Sequence, residues 1–91
     1  MEYRIDCTGI ETRPQFHEAL AQALGFPEWY GRNLDALHDL LTAITGDTRL
    51  VLENWDSFAP LGRGFRRVLE DAAKENSRFS VIFSVDNAHS L

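Results

Sequence analysis

A single cysteine, Cys7, stands in this 91-residue chain, so no internal disulfide can form, and a small domain without one suits a reducing compartment. Positive charge is also scarce: nine Lys and Arg against fourteen Asp and Glu leave a formal charge of −5. That balance argues against a general affinity for the nucleic-acid backbone and suits a cationic partner. No apolar run approaches the length of a membrane span, so no membrane association is expected. The opening residues MEYRIDCTGI hold no basic region followed by an apolar one; a secretory signal is not expected, and the cytoplasm is the default location. No stretch rich in Pro, Gly or Ser marks a linker and no segment repeats, which leaves residues 1–91 as one domain with one modest core. Its 44% hydrophobic and 25% charged residues are those of a soluble globular protein.

What is present is periodic. Tyr3, Ile5 and Cys7 alternate with Arg4 and Asp6, which predicts a strand with one wet face or an edge position, ended by Gly9. Phe16, Ala19, Leu20, Ala23 and Leu24 recur at helical spacing between Thr12, a candidate cap followed by Pro14, and Gly25, a candidate stop. FPEWYGRN, broken by Pro27 and Gly31, predicts a loop carrying three aromatics. A second helix follows, capped by Asn33 and ended by Gly46 and Asp47. Its Leu34, Leu37, Leu40, Leu41 and Ile44 fall within an arc of about 120° when each residue advances about 100°. The run Leu50 to Leu52 predicts a strand covered on both faces. A third helix after LGRG buries Phe65, Val68, Leu69, Ala72 and Ala73, with Glu70 and Lys74 as a favourable exposed pair. FSVIFSV reads as a β-branched and aromatic strand, and the tail DNAHSL is expected to fray. The order β-α-α-β-α-β predicts an α/β fold, a small sandwich of a three-stranded parallel sheet packed with helices, with right-handed crossovers. Three strands leave little room for a deep pocket.

The informative stretch is YGRNLDALHDLL, from Tyr30 to Leu41. It sets Asp35 and Asp39 four residues apart, where like charges repel and a helix chosen for stability would carry Lys or Arg. Asp35 lies near the helix N-terminus, where the macrodipole favours an anion, but Asp39 lies more than a turn in and draws little from it. His38, Thr42, Asp35 and Asp39 share a sector of about 100° opposite the leucine stripe. Trp29, Tyr30, Gly31 and Arg32 precede this helix and place aromatic surface and a tight bend beside the acidic sector. Trp and Tyr are enriched among residues that dominate binding energies, so this surface suggests an interface. The alternative for Trp29 and Tyr30 is to cap one end of the core.

FPEWYGRNLDALHDLLT resembles the signature of the barstar family, intracellular inhibitors of small microbial ribonucleases. VLENWDSF and the late VIFS also fall where that family has its strands, so the likeness covers nearly the whole chain. It implies three parallel strands with packed helices, no catalytic residues, and one-to-one binding of a small basic ribonuclease whose active site is occluded by this loop and helix. Asp39 matches the carboxylate that occupies the nuclease's phosphate site, and Asp35 matches a second contacting carboxylate. Trp29 and Tyr30 match positions that pack beside these charges; Gly31, Asn33, His38 and Thr42 match further contacts, and Asp71 and Glu75 match acidic positions at the rim. His38, Trp29, Arg32 and Gly46 stand where the founding member has tryptophan, tyrosine, glutamate and glutamate. Arg32, a possible rim residue, would repel a basic nuclease surface if it pointed there, which makes His38 and Arg32 the expected determinants of partner identity. No cofactor is implied, and a monomer is expected when free.

Rival readings remain. Taken alone, the pair Asp35 and Asp39 reads better as a solvated helix face, and the loop beside it with the family resemblance reverses that preference. Asp35, His38 and Asp39 share a face that could offer metal ligands, yet His17 and His89 lie elsewhere without ligand spacing. The same carboxylates and imidazole could perform acid and base chemistry, but an exposed convex helix has no cleft to separate their pKa values. LGRG reads as a turn rather than a phosphate loop, and Cys7 as a buried small hydrophobe. An immunity or antitoxin protein against an unrelated basic toxin, or a metal-binding or regulatory domain without a nuclease target, are the alternative functions.

Overall fold

Parallel pairing organises the molecule. The computed structural model describes residues 1–85. Within them β1 (Glu2–Asp6), β2 (Thr48–Glu53) and β3 (Phe79–Phe83) form a parallel sheet in the order β1-β2-β3. Tyr3 lies opposite Leu50, Ile5 opposite Leu52, and Leu50 opposite Val81, so the alternation along each strand collects these side chains on one face. The helices α1 (Arg13–Leu24), α2 (Leu34–Thr42) and α3 (Arg63–Glu75) all deliver their apolar stripes to that face. Phe16 and Leu20, Leu37 and Leu41, and Phe65, Leu69 and Ala72 join Ile5, Leu50, Leu52 and Phe79 in one buried cluster. The element order and the α/β class are those predicted. No helix among the described residues is long and apolar enough to cross a membrane. The tail expected to fray, with His89, lies outside the described residues.

The local signals of α1 act as read. Thr12 accepts from the Gln15 amide while the Gln15 side chain accepts from the Thr12 amide, a reciprocal cap, and Gly25 closes the helix in the left-handed conformation at φ 69°. Gly62 heads α3 for a different reason. A β-carbon there would lie 2.5 and 2.7 Å from the Trp55 ring and 2.9 Å from that of Phe58, so only glycine lets the chain pass these rings. LGRG is thus a close-packing point, with Arg63 and Gly64 already inside the helix.

Four expectations need correction. Val51 is buried, at 6% exposure, but lies outside the core cluster. Among the described residues the helices cover only the other face, and the register places Arg4 and Ile82 on either side of Val51. A middle strand shelters its side chains from both flanks without needing a second layer. Cys7 is not within the strand but opens a short 3-10 turn, Cys7–Gly9; it is fully buried, and burial pushes its thiol up to about 11. α2 ends at Thr42 rather than at Gly46, because the Asn76 amide takes over the carbonyls of Leu41, Thr42 and Ile44 at 3.0, 3.5 and 2.9 Å. Glu70 pairs one turn back with Arg66, at 3.5 Å, in place of the expected Lys74.

Candidate functional site

The site is built on α2 and the loop before it. Asn33 starts the helix as expected: its Oδ1 accepts from the Ala36 amide at 2.8 Å and its Nδ2 donates to the Gly31 carbonyl at 3.3 Å. Gly31 is exposed, and a β-carbon on it would stand 3.0 Å from that Nδ2. Burial of Leu37 and Leu41 turns the opposite side outward, leaving Asp35 and Asp39 exposed and His38 and Thr42 half-buried at the sides. Asp35 sits in the first turn, where the backbone amides favour a negative charge. Among the described residues neither aspartate carboxylate has a hydrogen-bond or ion-pair partner. The Thr42 hydroxyl donates to the carbonyls of His38 and Asp39 at 2.9 and 3.2 Å, so its proton is already used within the helix.

The two loop aromatics part company. Trp29 is 76% exposed, whereas Tyr30, expected among the contact residues, is 3% exposed. Its ring lies 5.0 Å from that of Phe26 and 5.7 Å from that of His17, and its hydroxyl shares a 2.6 Å hydrogen bond with His17 Nδ1. An inward ring with a satisfied hydroxyl is a core residue with a polar handle. Tyr30 therefore supports the surface from beneath, as the capping alternative held. Burial pushes the Tyr30 hydroxyl up to about 12, against a smaller opposite pull from Arg32. Burial, then the nearby Arg32 charge, lowers the pKa of His17 and holds its imidazole neutral.

The two basic residues inside the acidic motif face away from its centre, each toward a carboxylate on another helix. Arg32 donates to Glu18 Oε2 on α1 from Nε at 3.2 Å and from Nη2 at 2.6 Å. The same contact lowers the Glu18 pKa, the hydrogen bond with Arg32 contributing most. His38 Nε2 donates to Glu75 Oε2 on α3 at 2.6 Å. That bond is the main reason its pKa is raised, and the charges of Glu75, Asp39 and Asp71 add to it. Asp35, His38, Asp39, Asp71 and Glu75 thus form one acidic surface across α2 and α3, while Trp29 stands on the loop leading into it.

Three residues that complete this arrangement escaped the sequence reading. His17 follows Phe16 and lies three and seven residues before Leu20 and Leu24, a spacing that puts it at the edge of the apolar arc of α1 and could have marked it as inward-facing. Glu18 and Asn76 gave no such signal, because their partners are 14 and more than 30 residues away. Two hollows, of about 420 and 460 Å³, are lined by residues such as Asp47 and Arg78, and Trp55 and Arg66, and neither includes the acidic sector. Among the described residues no three His, Cys, Asp or Glu side chains gather as a metal site.

A family model described as Barstar (barnase inhibitor) matches residues 1–86 of the chain. Over 53 residues the chain is 43% identical to the Bacillus subtilis (strain 168) protein named "Putative ribonuclease inhibitor YrdF". The matched segment covers 57% of this chain and 58% of that protein, so the match spans little more than half the relative's length.

Proposed function

This chain belongs to the barstar family, and from that membership we propose that it inhibits a small basic ribonuclease, binding it one to one and covering its active site with α2 and the loop before it. The observation that carries this reading is the exposed Asp39 one turn after exposed Asp35 on α2, two carboxylates that among the described residues have no basic partner, whereas Glu2, Glu18, Glu53 and Glu75 each have one. A ribonuclease active site must hold phosphate and is therefore cationic, so the two carboxylates can stand in for the substrate's charge. Pairing with cations would remove the repulsion between Asp35 and Asp39, which makes the free helix the less favourable state for these charges. Trp29 supplies apolar contact area at the edge of the charged patch, and the acidic surface speeds encounter with a basic partner. The founding complex of the family is itself the type case of such steering. No catalysis and no cofactor enter this mechanism, the free protein acts as a monomer, and the cytoplasm of the cell that makes the nuclease is where it is needed.

The direct experiment mixes the protein with a panel of small microbial ribonucleases that includes barnase and measures residual RNA cleavage. Stoichiometric loss of cleavage supports the reading, and full cleavage across the panel ends it. Asp39→Asn should weaken inhibition at least about 30-fold, on the order of 2 kcal/mol. The free variant should be as stable as the native protein or more stable by about 0.2–0.5 kcal/mol. A variant that unfolds more easily and inhibits normally would make Asp39 structural. Association should also slow steeply as salt is added.

A further inference from the structure

Arg32 looks misplaced on a surface meant for a cationic partner, but its conformation gives it another task. It adopts the left-handed backbone at φ 50°, which a residue with a β-carbon holds only when its surroundings impose it. Its guanidinium lies against α1, with two nitrogens on Glu18 Oε2, and Nη1 donates back to the Tyr30 carbonyl at 3.5 Å. One residue earlier on α1, His17 holds the Tyr30 ring from the buried side. Consecutive residues of α1 therefore grip the loop at residues 30 and 32, one from inside and one from outside. Exposed Trp29 and Gly31 alternate with these anchored positions, and Asn33, the cap that aims α2, follows immediately.

We propose that Arg32 is a positioning residue, paired with Glu18, that holds the left-handed turn and presets the loop and the start of α2 in the free protein, rather than meeting the partner itself. A loop already in its binding shape gives up less conformational freedom on association. A matching partner then needs no acidic group opposite Arg32, because Glu18 already neutralises it.

Charge and position make opposite forecasts. Arg32→Ala makes the protein more acidic and Glu18→Gln makes it less so, and electrostatics alone would move binding to a basic ribonuclease in opposite directions. Positioning moves both the same way. In the free protein, amide hydrogen exchange at Tyr30 and Ala36 should quicken about tenfold in each variant while the amides of α3 stay unchanged. The exchanged pair Glu18→Arg with Arg32→Glu should restore native protection. Exchange within about twofold of native in both single variants overturns the proposal. The binding arm of the test rests on the inhibitor reading and uses whichever panel ribonuclease the native chain inhibits. Dissociation should quicken about three- to tenfold in both single variants and return toward native in the exchanged pair. Tighter binding by Arg32→Ala with weaker binding by the exchanged pair would instead make Arg32 a group that faces the partner. Should no panel enzyme be inhibited, the inhibitor reading fails while the exchange measurement still decides the role of Arg32.

Discussion

The acidic unit of loop and α2 is held on its two flanks by histidines that work in opposite ways. On the α1 flank, His17 is 6% exposed among Tyr30 and Phe65, with its Nδ1 on the Tyr30 hydroxyl and Arg32 nearby. On the α3 flank, His38 is half-buried and donates to Glu75, with Asp39 and Asp71 around it. Burial disfavours the charged imidazole and neighbouring carboxylates favour it, so the same side chain is kept neutral on one flank and drawn toward protonation on the other. The first flank is therefore a packed seam that leans on a full ring, and the second a charged latch open to solvent and salt.

The largest test of that contrast is on the buried flank. Tyr30→Ala should cost about 3–5 kcal/mol in urea unfolding, because a nearly buried ring leaves a cavity between Phe26 and His17. Tyr30→Phe keeps the packing and deprives His17 of its partner, which should cost about 1–2 kcal/mol. A neutral result for Tyr30→Phe would mean that the bond contributes shape alone.

Acidity separates the flanks next. The lowered folded pKa of His17 means that its contribution is intact above the ordinary value of 6.5 and is lost as pH falls from there through the lowered value. The raised folded pKa of His38 means that its contribution is fully present below 6.5 and is lost as pH rises through the raised value. Protonation does not by itself break the His17 bond, since the tyrosine oxygen can also accept; the cost is of a charge enclosed by rings and facing Arg32. Titration of the two imidazole proton resonances should therefore give midpoints on opposite sides of 6.5, and midpoints on the same side would dissolve the distinction. Glu75→Gln should bring the His38 midpoint down and leave that of His17 unmoved.

The smallest effect belongs to the open flank. His38→Gln should change stability near pH 6 far less than either Tyr30 variant and should remove the decline on the alkaline side, while the acid side keeps the native profile. An unchanged alkaline side would show that the Glu75 contact is not coupled to folding.

Much of this was visible in the chain. Thr12, Gly25 and Asn33 act within four residues of themselves, so propensity and capping rules reach them. The leucines of α2 place Asp35 and Asp39 outside because the helical period does so in any fold. The open sheet face is not legible in the chain, because a continuous apolar run looks alike whether a second layer or flanking strands shelter its middle residue. Tyr30 and Trp29 are neighbours of similar character, and no local rule says which ring turns inward; that choice needed His17 and Phe26 already in place. Asn76 shortened α2 by reaching carbonyls that lie over 30 residues away, which no local stop signal could forecast.

By itself, then, the sequence determined the order of elements, the inward leucine stripe, and an acidic outward face whose mutual repulsion no local partner relieves, because periodicity and near-neighbour charge are properties of one segment. Only the tertiary structure decided that Tyr30 is core, that Arg32 and His38 turn aside to Glu18 and Glu75, and that Trp29 is left standing in solvent. Those outcomes depend on which helices lie beside α2. Their proximity is set by the burial of the shared core, not by the residues of the motif.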